Sequence, residues 1–276
     1  MGRVLSHFNN TNRYQLLWQQ SFDDPSATVP DARVWNYDFG DGTAAGIPGW
    51  GNQECEYYVA DAIGTASDGA MHIAARRLPA DNPYPAYYGG NAEWSSGKLT
   101  THGRVHFLYG RVEAELRLPV GIGSWPAFWM LGANLSEVGW PQCGEIDIME
   151  HRGDQPNRLY TTVHGPGYCG DQGRGEVFDF DYPLAGQTRK FSVDWLPDSI
   201  SWQVDGVTKY TLNRADLQPH DWVFDHPHYL IVNLAMGGNF CGPISPDLEA
   251  ADYYIERISH YSIDGIGEVI HPVSSE

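Results

Sequence analysis

Three carboxylic acids stand close together in the segment Gly144-Glu145-Ile146-Asp147-Ile148-Met149-Glu150, alternating with large apolar residues. In a regular strand Glu145, Asp147 and Met149 share one face, Ile146 and Ile148 the other, and Glu150 falls on the wrong side. One extra residue, a β-bulge between Asp147 and Glu150, would return Glu150 to the acidic face. Like charges crowded on one face repel, so the arrangement costs stability unless it serves a purpose. Glycoside cleavage is such a purpose, because it needs a carboxylate nucleophile and a protonated acid flanking the scissile bond. An ionised neighbour raises the second group's pKa and keeps it protonated near neutral pH. Four strand steps put the two glutamate backbones about 13 Å apart. Two long side chains leaning inward on a curved sheet can close that gap, with Asp147 sharing a proton between them. A solvated acidic face and a calcium site are the other readings these residues allow on pattern alone.

Trp125 and Trp129 stand four residues apart just before the acidic segment. In a strand they share a face, and flat rings suit the apolar faces of sugars. The competing expectation is that one or both belong to the core, since ten Trp cannot all line a cleft.

The elements that must carry these groups read as strands. Arg111 to Leu118 alternates Val112, Ala114, Leu116 and Leu118 with charged residues, as in a half-buried antiparallel strand. Ile200 to Val204 and Val207 to Tyr210 flank Asp205-Gly206, which supplies the positive φ angles of a tight hairpin turn. Tyr229 to Ala235 is an apolar run that predicts a strand buried on both faces, and Tyr253 to Tyr261 a final strand. Asn213 to Leu217 carries the only helical signal. Many strands, little helix and no repeat predict an all-β fold, a β-sandwich of two antiparallel sheets. The expected organisation is a loose segment over residues 1–13 and one catalytic domain over 14–276.

Composition narrows the partners. The net charge is −18, from 35 acidic and 17 basic residues. Nucleic acid and anionic membrane surfaces are disfavoured, as is a strongly sulfated polysaccharide, so a neutral ligand is expected. No apolar run of about 18 residues exists to span a membrane. Met1-Gly2-Arg3-Val4 lacks the apolar core of an export signal. Asn9-Asn10-Thr11 and Asn134-Leu135-Ser136 are glycosylation sequons. A secreted or cell-surface protein whose export signal has been removed is the expectation, and a monomer. Cys55, Cys143, Cys169 and Cys241 have no metal-ligand spacing and could form two disulfides or stay thiols.

Gly144 to Glu150 resembles the signature of glycoside hydrolase family sixteen, in the laminarinase-like branch that carries the bulge residue. The resemblance runs from Trp18 to about Tyr261. It includes Gly49-Trp50-Gly51-Asn52-Gln53-Glu54, Trp125-Pro126-Ala127-Phe128-Trp129-Met130-Leu131, Thr162-Val163-His164-Gly165-Pro166, Phe224-Asp225-His226-Pro227 and Asn233-Leu234-Ala235-Met236-Gly237-Gly238-Asn239. It implies a jelly-roll sandwich with a concave cleft. It also implies Glu145 as nucleophile, Glu150 as acid/base and Asp147 as helper, retaining configuration and acting within β-1,3-glucan chains. Trp50, Asn52, Glu54, Lys98, Trp125, Trp129, His164 and Asn239 become the implied substrate-binding residues. Lys98 stands where the family commonly has Arg, and Phe240 where it often has Trp, which leaves a smaller stacking surface there. Cys143, Cys169 and Cys241 would fall near the cleft rim, where a disulfide could brace loops. No cofactor is required. A structural calcium on the convex face would draw on Phe22-Asp23-Asp24 and Asp252, although Tyr253-Tyr254-Ile255-Glu256 lacks the Asp expected in the last strand. Agarase-type hydrolysis, transglycosylation and a non-catalytic glucan-binding module are the alternatives. Retention of all three acids counts against the last.

Overall fold

Alternation of apolar and polar side chains turns most of this chain into strand. In the computed structural model, which describes residues 13–22 and 28–272, Val112, Ala114 and Leu116 are sealed inward on the strand Gly110–Arg117 while the charged residues between them stay half-open to solvent. The segment expected to be loose lies outside the described residues except for Arg13. Ser199–Val204 and Val207–Asn213 form the expected hairpin, with Asp205 at φ 50° and Gly206 at φ 77°. The helical signal becomes a single 3-10 turn, Arg214–Leu217, closed by a capping box between Asn213 and Asp216. The strand expected at Tyr253 to Tyr261 runs longer, over Ala250–Ile263, and is not the last, because a short strand Glu268–Ile270 follows it.

The strands assemble into two sheets. A ten-stranded sheet is centred on Gly110–Arg117 and Ala250–Ile263. A nine-stranded sheet runs Arg174–Asp179, Arg158–His164, Glu145–Glu150, Ser124–Gly132, His228–Met236, Lys98–Thr100 and Asn36–Tyr37, with His106–Leu108 also paired to His228–Met236 and Glu268–Ile270 paired to His106–Leu108. Neighbours far apart in sequence pair across this order, as in a jelly roll. Pairing is antiparallel except for Glu56–Tyr58, which lies parallel to Trp94–Ser96 and so departs from the all-antiparallel expectation. One continuous apolar core fills the space between the sheets, with Phe128, Ile146, Trp202, Leu230 and Ile258 among its sealed residues.

The bulge is present. Trp129 pairs with Asp147 and Ala127 with Glu150, so three steps on the acidic strand match two on its neighbour. Ile148 and Met149 both enter the core, and Glu150 comes back to the outer face. The peptide oxygen of Asp147 beside this irregularity is satisfied from the opposite sheet, where the buried Trp202 indole N–H donates to it at 2.8 Å. A bulged carbonyl left unpaired in the interior would be costly.

The four cysteines are free thiols, the second of the two states the sequence left open. Cys143 packs with Leu131, Tyr229 and Ile231, whereas Cys241 packs with Trp125 and Ala235, so these two sit in separate apolar clusters.

Candidate active site

Strand register lays the outer face of the nine-stranded sheet out as rows. One row reads Lys98, Asn233, Ala127, Glu150, Tyr160; the next reads Thr100, Ile231, Trp129, Asp147, Thr162; the third reads Tyr229, Leu131, Glu145, His164. Asp147 therefore lies in the row between the two glutamates. Both glutamates keep part of their surface open, while Asp147 is only 3% exposed between them.

Each acid has its own surroundings. Glu145 Oε2 accepts the indole N–H of Trp140 at 2.6 Å. Asp147 Oδ2 lies 3.3 Å from His164 Nε2. Glu150 Oε1 accepts the indole N–H of Trp125 at 3.1 Å. Burial, then the charge of Asp147, pushes the Glu145 carboxyl up to about 8. Burial, then the charge of Glu145, pushes Glu150 up to about 7. Asp147 is held well above the usual carboxylate range by burial and then by Glu150. The three acids thus share protons as one set near neutral pH. The Trp140 hydrogen bond and the nearby His164 pull the Glu145 carboxyl back down, as His164 and the Trp125 hydrogen bond do for Glu150.

The implied substrate-binding residues separate into distinct positions. Lys98 is nearly buried, with its ammonium 3.9 Å above the Trp50 ring, 5.6 Å from the Trp129 ring and 3.3 Å from Asp38. Trp50, Lys98 and Trp129 form one wall, and Trp129 donates its indole N–H to Asn233 at 2.8 Å. Asn52 donates to Glu54 at 3.0 Å, and Glu54 is buried beneath this wall. Asn239 is exposed, and its backbone N–H bonds Asn52 O at 2.7 Å, tying the two loops together. Gly238 makes that approach possible: it sits at φ 77°, and a Cβ there would lie 2.8 Å from Asn52 O.

Trp125 lies deeper than Trp129. It is 9% exposed, and Phe240 covers it with ring centroids 4.8 Å apart. Its indole N–H is the group that holds Glu150. Residues the sequence reading missed are Trp140, Asn233, Tyr160 and Phe240 as a cover. Asn233 carried a signal, being the lone amide in an apolar strand. Trp140 lies in a loop, where no periodicity could mark it.

Glu145, Asp147 and His164 offer donor atoms within 4.8 Å of one another, a set whose chemistry suits a divalent ion, although such an ion would occupy the oxygens the acids need. For the calcium expectation, Asp23 and Asp24 lie outside the described residues, and Asp252 already accepts from Arg76 at 2.6 Å and pairs with His72 at 2.8 Å.

The family model for glycosyl hydrolases family 16 matches residues 51–254. The chain belongs to this family. A beta-glucanase of Rhodothermus marinus is 36% identical over 86% of this chain and 80% of its own length. A glucan endo-1,3-beta-glucosidase of Cryptopygus antarcticus is 35% identical over 83% of each. The catalytic domain of an endo-1,3-beta-glucanase (laminarinase) from Thermotoga petrophila RKU-1 superposes with a TM-score of 0.84 at 39% identity, over 91% of this chain and 98% of that one.

In this family 16 chain, Trp140 gives a test of the Glu145 surroundings. Its hydrogen bond lowers the Glu145 pKa, so Trp140→Phe should raise that pKa further and reduce the ionised fraction at a given pH. The acidic limb of kcat/KM should move to higher pH, with kcat near neutrality falling about tenfold for loss of one bond to a charged group. A pH–rate profile displaced the other way, or unmoved, would remove Trp140 from the account.

Proposed function

We propose that this protein is a retaining endo-hydrolase of β-1,3-glucosidic bonds in neutral, laminarin-like glucans. The observation that carries this reading is the bulge-corrected register, which sets Glu145 and Glu150 on one face at either side of Asp147. Glu150 protonates the glycosidic oxygen as Glu145 attacks the anomeric carbon, giving a glycosyl ester on Glu145 and releasing the first product. Glu150, now a carboxylate, takes a proton from water, which attacks the same carbon and frees Glu145. Two inversions return the β configuration. Asp147 shares a proton with Glu145 while its charge changes, and His164 orients Asp147.

The Trp50–Lys98–Trp129 wall supports a sugar-stacking subsite. The charge of −18 favours an uncharged polymer over a sulfated one or a nucleic acid. No helix among the described residues is long and apolar enough to cross a membrane. We further propose that the enzyme acts as a monomer outside the cell, where a polymeric substrate is met.

The test is digestion of laminarin, lichenan and agarose, followed by proton NMR and viscometry. Laminarin should lose viscosity well before most bonds are cut, and β-anomers should appear first. Initial α-anomers would sink the retaining mechanism. Cleavage of agarose alone would sink the glucan assignment.

A further inference from the structure

Glu56 has no part in the chemistry above, yet it is a carboxylic acid only 1% exposed. It stands two residues beyond Glu54, on the strand Glu56–Tyr58. Its Oε2 accepts the backbone N–H of Met236 at 2.7 Å, whereas its buried Oε1 has no hydrogen-bond partner among the described residues. The side chains within reach are the carboxyl of Glu54 and the hydroxyl of Tyr58.

The hydrogen bonds around Glu54 all run toward it. Trp129 Nε1 donates to Asn233 Oδ1 at 2.8 Å, and Asn233 Nδ2 donates to Tyr58 Oη at 3.1 Å. Tyr58 in turn donates to Glu54 Oε2 at 3.3 Å, and Asn52 Nδ2 donates to Glu54 Oε1 at 3.0 Å. A chain in which every member donates in one direction needs an acceptor at its end, and Glu54 as a carboxylate is that acceptor. A second buried carboxylate facing it would repel it, and the one Tyr58 proton is already given to Glu54. A proton on Glu56 Oε1 resolves both problems, because an O–H···O⁻ bond is among the strong ones.

We propose that Glu56 works as a protonated positioning residue, whose O–H locks Glu54 and, through Tyr58 and Asn233, fixes the Trp129 ring in the glucan-binding wall. Burial and the charge of Glu54 hold the Glu56 carboxyl well above the usual carboxylate range. The groups facing the pair are Tyr58, the Lys98 ammonium, the Cys55 and Cys241 thiols, Tyr87, Tyr88 and, across the cleft, Glu150. Among these Lys98 favours ionisation, so the shared proton is lost as the solution turns alkaline. Glucan affinity should then fall for a reason separate from catalysis.

This inference rests on the reading of that wall as a glucan site. The experiment is calorimetric binding of a soluble β-1,3-glucan oligosaccharide to Glu145→Gln, from pH 5 to 9, with and without Glu56→Gln. The amide of Gln keeps a donor at the position of the O–H and cannot ionise. The parent should lose about tenfold in affinity toward pH 9, equivalent to about 1.4 kcal/mol. The Glu56→Gln version should match it at pH 5 and hold its affinity at pH 9. Identical pH profiles in the two proteins, or uniform weakening in the Gln variant, would overturn the role of Glu56. No binding by the parent at any pH would instead sink the glucan assignment, and this inference with it.

Discussion

Glu145→Ala is expected to slow laminarin hydrolysis by at least about 10⁴-fold, the scale on which loss of a nucleophile is felt. The decisive readout is rescue. Azide is small enough to occupy the space left by the carboxylate and can attack the anomeric carbon from the side Glu145 commands. With an activated aryl β-glucan oligosaccharide, the variant plus azide should form an α-glycosyl azide. That outcome follows from the strand register, which gives Glu145 and Glu150 different places on the outer face of the sheet. A β-azide from this variant would exchange the two roles, and undiminished hydrolysis would place the nucleophile elsewhere.

Glu150→Ala should behave differently. For laminarin, whose leaving group is a sugar hydroxyl, loss of the proton donor should cost about 10²–10⁴-fold. An aryl glycoside with an acidic leaving group needs no protonation, so its first step should be nearly spared and a glycosyl-enzyme should accumulate. Azide should then release a β-azide by attacking that intermediate from the opposite face. The pH profile supplies a second check. The Glu150 carboxyl, pushed up to about 7, must hold its proton for the first step, so the wild-type rate falls as pH rises through the deprotonation of the set. That alkaline limb should vanish in the variant. A limb that persists unchanged would assign the proton to another group.

The common face of the acids could be anticipated because apolar residues destined for the core separate them, whereas the two roles came with the family resemblance. A regular strand would carry Glu150 to the core face, so bringing all three acids to one face implied a bulge, and the register contains it, with Met149 turned into the core. The sandwich was legible for a similar reason: alternation along Gly110–Arg117 and the Asp205-Gly206 turn are local properties of the chain. Strand ends were less legible, as Ala250–Ile263 shows, because pairing partners from distant segments extend a strand beyond its own propensity.

The side-chain environment could not be derived locally. Periodicity and turn chemistry, which act over a few residues, marked the acids that could do chemistry, the sandwich class and the outward face of the acidic strand. Tertiary structure alone decided that Trp125 is covered by Phe240, that Lys98 lies against Trp50 and Trp129, and that Trp140 holds Glu145. It also decided that Glu54 and Glu56 are buried side by side. Each of these contacts joins segments brought together by sheet order and loop packing, and the desolvation that shifts the carboxyls exists only after those segments have met.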